Sequence, residues 1–269
     1  MKALAIIKND LWQRRKALIW WTVGVIALVS IDMLLYLSVK DDAQQLNQLM
    51  ERMPSTFKAL FAGNADFLSP SGFLSARIYY LLLPLLLTIF TVGLGSNLIG
   101  KEEREGTLEL LLSRPVSRFN LLFSKVSAAT VAITIVGSAA LVTALVCLRP
   151  AGFSGVSFRA ICFVTLNTLL LSALFGAVAL CLSALGGRFK SMSTGIAVLV
   201  AFGSYLLASL ESLASWIVWP ARLLPYHYYN PNGILNGVTY GLKPALGFVC
   251  IILVLLVGAW LGFRRRDIG

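Results

Sequence analysis

Residues 245–263, ALGFVCIILVLLVGAWLGF, form a stretch of nineteen residues without a charged side chain. A helix of that length is about 28 Å long, which matches the hydrocarbon core of a bilayer, so the stretch predicts a membrane span. Five more apolar runs precede it, at about 17–38, 78–99, 119–148, 160–185 and 192–219. The sequence therefore predicts an all-α membrane protein in which six transmembrane helices form a single domain, 1–269.

The composition of the chain supports the same fold class. Hydrophobic residues make up 58% of the 269 residues and charged residues only 13%, whereas about a quarter of the residues in a soluble domain are charged. Six spans of about 20 residues and their connections use most of this length, so we expect no large soluble domain. The four cysteines lie in or beside the apolar runs without the CxxC spacing of a metal site, and we expect them to pack as small apolar residues.

Six spans place both termini on the same side of the membrane, and the basic residues indicate which side. If the termini are cytoplasmic, the segments on that side hold fifteen of the 23 Lys and Arg residues, in agreement with the positive-inside rule. We therefore expect a multi-pass protein of the cell membrane with cytoplasmic termini. The net charge of +11 follows from this topology, and without a basic soluble module the chain is not expected to bind nucleic acid.

The N-terminal segment MKALAIIKNDLWQRRK, residues 1–16, places apolar side chains between basic ones at roughly helical spacing. This pattern predicts a helix that lies on the membrane lipid at the cytoplasmic interface, with Lys8, Trp12, Arg14 and Arg15 as interfacial side chains. A frayed basic tail is the alternative.

The sequence lacks the motifs of catalytic and nucleotide-binding sites. It has one histidine, His227 in PYHYYNP, and neither HExxH nor GxSxG, so we expect no catalytic residue and no metal site. Residues 95–101, GSNLIGK, have the spacing of a phosphate-binding loop, but Glu102 stands where Ser or Thr would bind magnesium, and its charge would repel phosphate. We therefore expect this chain to bind no ATP and no other cofactor.

Two acidic residues lie near the ends of apolar runs, Asp32 in the first and Glu211 in the fifth. Ion-coupled carriers keep ionisable residues at depth in the membrane for ion binding or proton transfer. Because both positions also suit the membrane interface, an ion-coupled secondary transporter stays open as an alternative function.

A dense charged cluster, EEREGTLELLLSRPVSR at 102–118, separates the second and third apolar runs on the predicted cytoplasmic side. At helical spacing its leucines share one face and its glutamates mark the other: Leu108, Leu111 and Leu112 against Glu105 and Glu109. Gly106 allows a bend and Pro115 forces a turn before the third span. The pattern predicts a short amphipathic helix, about 101–114, suited to a groove on a soluble partner, with a solvated loop as the alternative.

The motif ExEGTLELLLSxPVSR, which runs from Glu103 to Arg118 and is followed by Lys125, resembles the signature of type-2 ATP-binding-cassette (ABC) transporter permeases. The N-terminal interfacial segment, the loop YHYYNPNGIL at 226–235 and the C-terminal FRRRDIG resemble the same family. The resemblance covers nearly the whole chain.

This resemblance implies the membrane-spanning permease subunit of an ABC exporter. A separate ABC ATPase subunit would use ATP and Mg, and a second permease copy or a paralogue would complete the substrate pathway. The helix between the second and third spans would be the coupling helix that contacts the ATPase. The residues implied in coupling are Glu103, Glu105, Gly106, Thr107, Leu108, Leu111, Leu112, Pro115, Arg118 and Lys125.

The cargo and the dimer interface are less well defined by the sequence. Apolar spans favour a hydrophobic or amphiphilic small molecule or peptide of the drug or antibiotic type, while a non-transporting membrane scaffold stays open as an alternative. Gly258 and Gly262 form GxxxG in the last run, a pattern that lets two helices approach closely, either across a dimer or within one chain.

Overall fold

The computed structural model describes residues 2–41, 54, 56, 60, 69–104, 117–153 and 155–265, and every regular element in this part of the chain is helical. The elements are, in chain order, α1 (Lys2–Asp41), α2 (Pro70–Phe73, a π-helical stretch at Leu74–Leu82, and Leu83–Arg104), α3 (Arg118–Leu148), α4 (Phe158–Leu185), α5 (Gly187–Leu210), α6 (Ser215–Arg222), a 3-10 turn at Pro225–Tyr228, α7 (Pro231–Leu235) and α8 (Leu242–Arg264). Six of these helices, α1 to α5 and α8, are long and apolar enough to cross a membrane. The prediction of an all-α membrane protein with six transmembrane helices is confirmed.

Polar residues at the helix ends define where several helices begin. Ser69, Ser117 and Asn230 cap α2, α3 and α7, and each side-chain oxygen accepts a hydrogen bond from the backbone N–H three residues later, at 3.1, 3.2 and 2.9 Å. Between α4 and α5 the chain turns at Gly186, whose φ of 78° favours glycine.

Helix α1 differs from the sequence prediction, because the predicted interfacial helix 1–16 is not a separate element. Residues Lys2–Asp41 form one helix of 40 residues. No Gly or Pro occurs between Lys2 and Val23, so nothing interrupts the backbone hydrogen bonds between the basic segment and the apolar run. At about 60 Å the helix is twice as long as the hydrocarbon core is thick, so a large part of it extends beyond that core.

The predicted fifth span, 192–219, corresponds to two helices in the structure. Helix α5 ends at Leu210, a turn follows from Glu211, and α6 begins at Ser215. Here the chain turns where a charged residue and two serines interrupt the apolar run, since a charged side chain is costly inside hydrocarbon. The turn leaves the carboxylate of Glu211 beside His227.

Helix α4 lies at the centre of the bundle, and α2, α3, α5 and α8 pack against it. Its contact with α2 is close enough that a Cβ added to Gly95 would lie 2.1 Å from the backbone oxygen of Gly176. Next to this glycine pair, the Thr91 hydroxyl donates a hydrogen bond of 2.6 Å to the Ser172 carbonyl. Small residues that bring two backbones together are a frequent means of helix association in membranes.

The second large contact joins α1 to α3. Small side chains of α3 such as Ala132, Val136 and Ala140 face the buried side of α1, where Val25 and Met33 lie fully enclosed. Further along α1, the rings of Tyr36, Phe73 and Phe153 cluster with centroids 4.4 to 6.4 Å apart. This apolar core connects α1 and α3 to the start of α2.

Candidate functional site

Polar side chains cluster at both ends of the helix bundle. The N-terminal parts of α1 and α3 and the C-terminal parts of α2 and α8 lie together at one end, named the terminal end from here on. The opposite end contains the π-helical stretch of α2 and residues 211–241.

At the terminal end, the carboxylate of Asp10 binds two cations. One oxygen lies 3.3 Å from Nζ of Lys125 on α3, and the other lies 3.2 Å from Nε of Arg14 on α1 itself. Asp10 and Lys125 are buried, with exposed fractions of 8% and 3%. A buried charge requires a partner of opposite sign, so this cluster fixes α1 against α3. Sequence analysis named Arg14 and Lys125 but missed Asp10, whose only signal was its position four residues before Arg14.

Arg118 ties the start of α3 to the end of α8. Its Nη1 atom donates to the carbonyl of Arg264 at 3.1 Å and to that of Phe263 at 3.4 Å. Carbonyls in the last turn of a helix lack intrahelical partners and carry the negative end of the helix dipole, so a guanidinium is well placed there. The first two turns of α3 are therefore attached to α1 through Lys125 and to α8 through Arg118.

The other predicted residues of the N-terminal segment and the coupling helix fall into three groups. Lys8, Trp12 and Arg15 lie on the exposed side of α1, where the Arg15 guanidinium stacks 4.1 Å from the centre of the Trp12 ring. Glu103 belongs to the last turn of α2. The remaining residues of the predicted coupling helix lie outside the described residues: Glu105, Gly106, Thr107, Leu108, Leu111, Leu112 and Pro115.

At the opposite end, tyrosines satisfy the backbone of the π-helical stretch in α2. The Tyr229 hydroxyl donates to the carbonyl of Tyr79 at 2.7 Å, and the Tyr226 hydroxyl donates to that of Tyr80. Tyr229 also contacts the Thr168 hydroxyl of α4 at 2.6 Å. A π-helical turn changes the hydrogen-bond register of a helix and often marks a functional position. The loop before α8 thus binds directly to α2 and α4.

Aromatic rings surround this contact. The rings of Tyr80, Tyr205, Tyr226 and Tyr229 form a chain with neighbouring centroids 5.4 to 5.8 Å apart. Burial raises the pKa of the Tyr226 and Tyr229 hydroxyls above the ordinary value, so both stay protonated and can donate at physiological pH.

The whole chain matches one protein family. A family model described as ABC-2 family transporter protein matches residues 4–268. The chain belongs to this family. No curated protein shows significant sequence similarity to it. The resemblance to type-2 ABC permeases is confirmed, and this ABC-2 transporter protein is a multi-pass membrane protein.

Both acidic residues that lie near the ends of apolar runs have basic partners in the structure. In the ABC-2 transporter, buried Asp32 forms an ion pair with Arg77 of the π-helical stretch. Glu211 lies 2.6 Å from Nδ1 of His227 in the 3-10 turn. Both acids therefore have basic partners within the described part of the chain, and each pair connects two elements at the opposite end.

The GxxxG pair of the ABC-2 transporter faces the centre of its own chain. A Cβ added to Gly258 would lie 3.2 Å from Sγ of Cys181, and one added to Gly262 would lie 3.1 Å from the Leu185 side chain. Both glycines therefore bring α8 close to α4 within the monomer.

Proposed function

We propose that this ABC-2 transporter is the permease subunit of an ABC exporter, powered by ATP hydrolysis in a separate ATPase subunit. The observation that supports coupling most directly is the anchoring of α3. The segment 105–116, for which the sequence predicts a coupling helix, leads directly into α3. Because Lys125 and Arg118 attach that start to α1 and α8, a displacement of the segment would move three helices together.

The assembly we propose contains two permease chains, identical or paralogous, and two copies of the ATPase. Helices α1, α5 and α8 carry many large apolar side chains on exposed faces, among them Trp20, Leu199 and Val254. Such faces suit lipid and a second permease. The basic residues favour the cell membrane, with the terminal end and both termini in the cytoplasm. ATP and Mg would bind only to the ATPase.

For the cargo we propose a hydrophobic or amphiphilic molecule of the drug, antibiotic or peptide type. Within the described spans the exposed side chains of the helices are mainly apolar, and the buried acids Asp10 and Asp32 are held in ion pairs. A pathway between such faces has few fixed charges with which to bind a bare ion.

Affinity purification tests the coupling proposal. A tagged chain is purified from its native membrane in mild detergent, and the proteins that copurify are identified by mass spectrometry. We expect an ATPase with a phosphate-binding loop, and we expect a Glu105→Arg, Leu111→Asp double variant to lose it, because the variant reverses a charge on the polar face of the predicted helix and places a charge on its leucine face. The matched control makes the same changes between the first and second spans, as Glu51→Arg and Leu49→Asp.

Each result of the purification experiment has a different interpretation. Loss of the ATPase in the 105/111 variant, with retention in the 49/51 control, supports the proposed coupling element. An ATPase that stays bound to both variants would place the contact elsewhere on the chain. Absence of any ATPase from the wild-type preparation would contradict the proposal of an ATP-driven exporter.

A further inference from the structure

A cavity of about 370 Å³ lies at the opposite end, between the π-helical stretch of α2, the end of α5 and residues 226–238. Its volume is at the lower end of the range of small-molecule sites in proteins. Polar side chains from three elements line it, including Ser75, Ser209, Glu211, His227, Asn230 and Asn236. In a chain whose spans are mainly apolar, this is a polar pocket formed within the monomer.

One carboxylate lines this cavity. Glu211 is the only carboxylate among the described residues that line it, and these residues include neither Lys nor Arg. Nδ1 of His227 lies 2.6 Å from one oxygen of Glu211, and in the tautomer that carries its proton on Nδ1 the ring presents Nε2 as an acceptor. A carboxylate has a second oxygen that accepts hydrogen bonds, which the contact with His227 does not use.

Tyrosine rings complete the lining. Tyr80, Tyr226 and Tyr229 border the cavity. The Tyr80 hydroxyl bonds to Ser209, and the Tyr226 hydroxyl donates to the carbonyl of Tyr80. The Tyr229 hydroxyl bonds to Thr168 and donates to the carbonyl of Tyr79. Because the hydroxyls already have partners, the tyrosines present mainly their rings to a ligand. The face of an aromatic ring carries partial negative charge and attracts cations.

We propose that this cavity binds a small organic ammonium ion. An ammonium group carries positive charge and donates hydrogen bonds or packs against ring faces, which complements a carboxylate, an imidazole acceptor and three tyrosine rings. Glu211 supplies the charge that fixes the ammonium, and the serine and asparagine side chains suit hydroxyl or amide groups elsewhere on the ligand. Binding requires neither ATP nor a partner subunit, so this site stands or falls independently of the export proposal.

Choline is a suitable probe, because it combines a quaternary ammonium with one hydroxyl. Its matched control is the uncharged alcohol in which carbon replaces the nitrogen, which has nearly the same shape. The full chain is reconstituted in lipid nanodiscs made of lipids without choline headgroups, and binding is measured by titration calorimetry. The variants are Glu211→Gln, which preserves an acceptor for His227, and Glu211→Asp, which keeps the charge.

We expect saturable choline binding to the wild type, at least about tenfold weaker binding to Glu211→Gln, and substantial retention in Glu211→Asp. The uncharged alcohol should bind weakly and equally to all three proteins. Absence of saturable choline binding to the wild type would overturn the proposal. Equal choline affinity in wild type and Glu211→Gln, or equal affinity for choline and the alcohol, would also overturn it. Gel filtration confirms that each variant is folded before titration.

Discussion

The ion pair between Asp10 and Lys125 offers the sharpest test of how α1 is held against α3. At 3.3 Å and an effective dielectric constant of about 20, the Coulomb attraction between the two charges is about 5 kcal/mol. Desolvation of the buried groups offsets much of this energy, so we expect a coupling free energy of about 1–3 kcal/mol in a double-mutant cycle of Asp10→Asn and Lys125→Met.

The two single variants should differ in cost. Asp10→Asn removes the charge that binds both Lys125 and Arg14, and we expect it to lower the free energy of unfolding by about 3–5 kcal/mol. Lys125→Met should cost less, because the Asp10 carboxylate keeps Arg14 at 3.2 Å. The control is Lys16→Met on the exposed side of α1, expected to change stability by less than about 0.5 kcal/mol.

Unfolding of the purified chain by SDS in mixed micelles, followed by tryptophan fluorescence, measures these free energies. If the cost of the double variant equals the sum of the costs of Asp10→Asn and Lys125→Met to within about 0.5 kcal/mol, the two side chains do not interact energetically. The ion pair would then contribute nothing to the contact of α1 with α3, and the anchoring argument for coupling would lose one of its two supports.

Three further predictions concern the centre of the bundle and its opposite end. Tyr229→Phe removes two buried hydrogen bonds and should cost about 1–3 kcal/mol in the same unfolding assay, whereas Tyr228→Phe, at an exposed hydroxyl, should be nearly neutral. Gly95→Ala places a methyl 2.1 Å from a backbone oxygen of α4 and should lower the thermal unfolding midpoint clearly, whereas Gly93→Ala, with no atom within 4 Å of the added Cβ, should not. Burial raises the pKa of Tyr226 and Tyr229 above the ordinary value, so the unfolded chain loses these protons first as the pH rises above about 10. Stability should therefore fall above about pH 10, and less steeply in Tyr229→Phe than in wild type.

Hydropathy predicted the fold class because six apolar runs of sufficient length leave few other structures available to the chain. It did not predict where these runs are interrupted. The turn after Leu210 places Glu211 beside His227, and these two residues are sixteen apart in the chain. The continuous helix Lys2–Asp41 was also not predicted. The change from a basic to an apolar segment near residue 16 was interpreted as the boundary between two helices, although no helix breaker lies at that boundary.

The polar contacts were predictable only in part. Arg118 and Lys125 were identified through a family motif, but their partners Asp10, Phe263 and Arg264 lie more than 100 residues away in sequence, and a single sequence does not reveal such pairs. Two of these partners are backbone carbonyls, which have no sequence signature at all. The π-helical stretch was likewise invisible, because nothing in the composition of Leu74–Leu82 distinguishes a π-helical from an α-helical register.

The packing joins four of the six spans into two pairs. No side chain can be inserted between α2 and α4 at Gly95, and the Thr91 hydroxyl locks the same contact, so these two helices behave as one body. The ion pair of Asp10 joins α1 and α3 into the other. In the terminal half, an apolar gap of about 80 Å³ lies between α2, α3, α4 and α8, and it leaves space next to α3. The Asp10–Lys125 coupling energy bears directly on this division, because a value near zero would leave apolar packing as the remaining contact between α1 and α3.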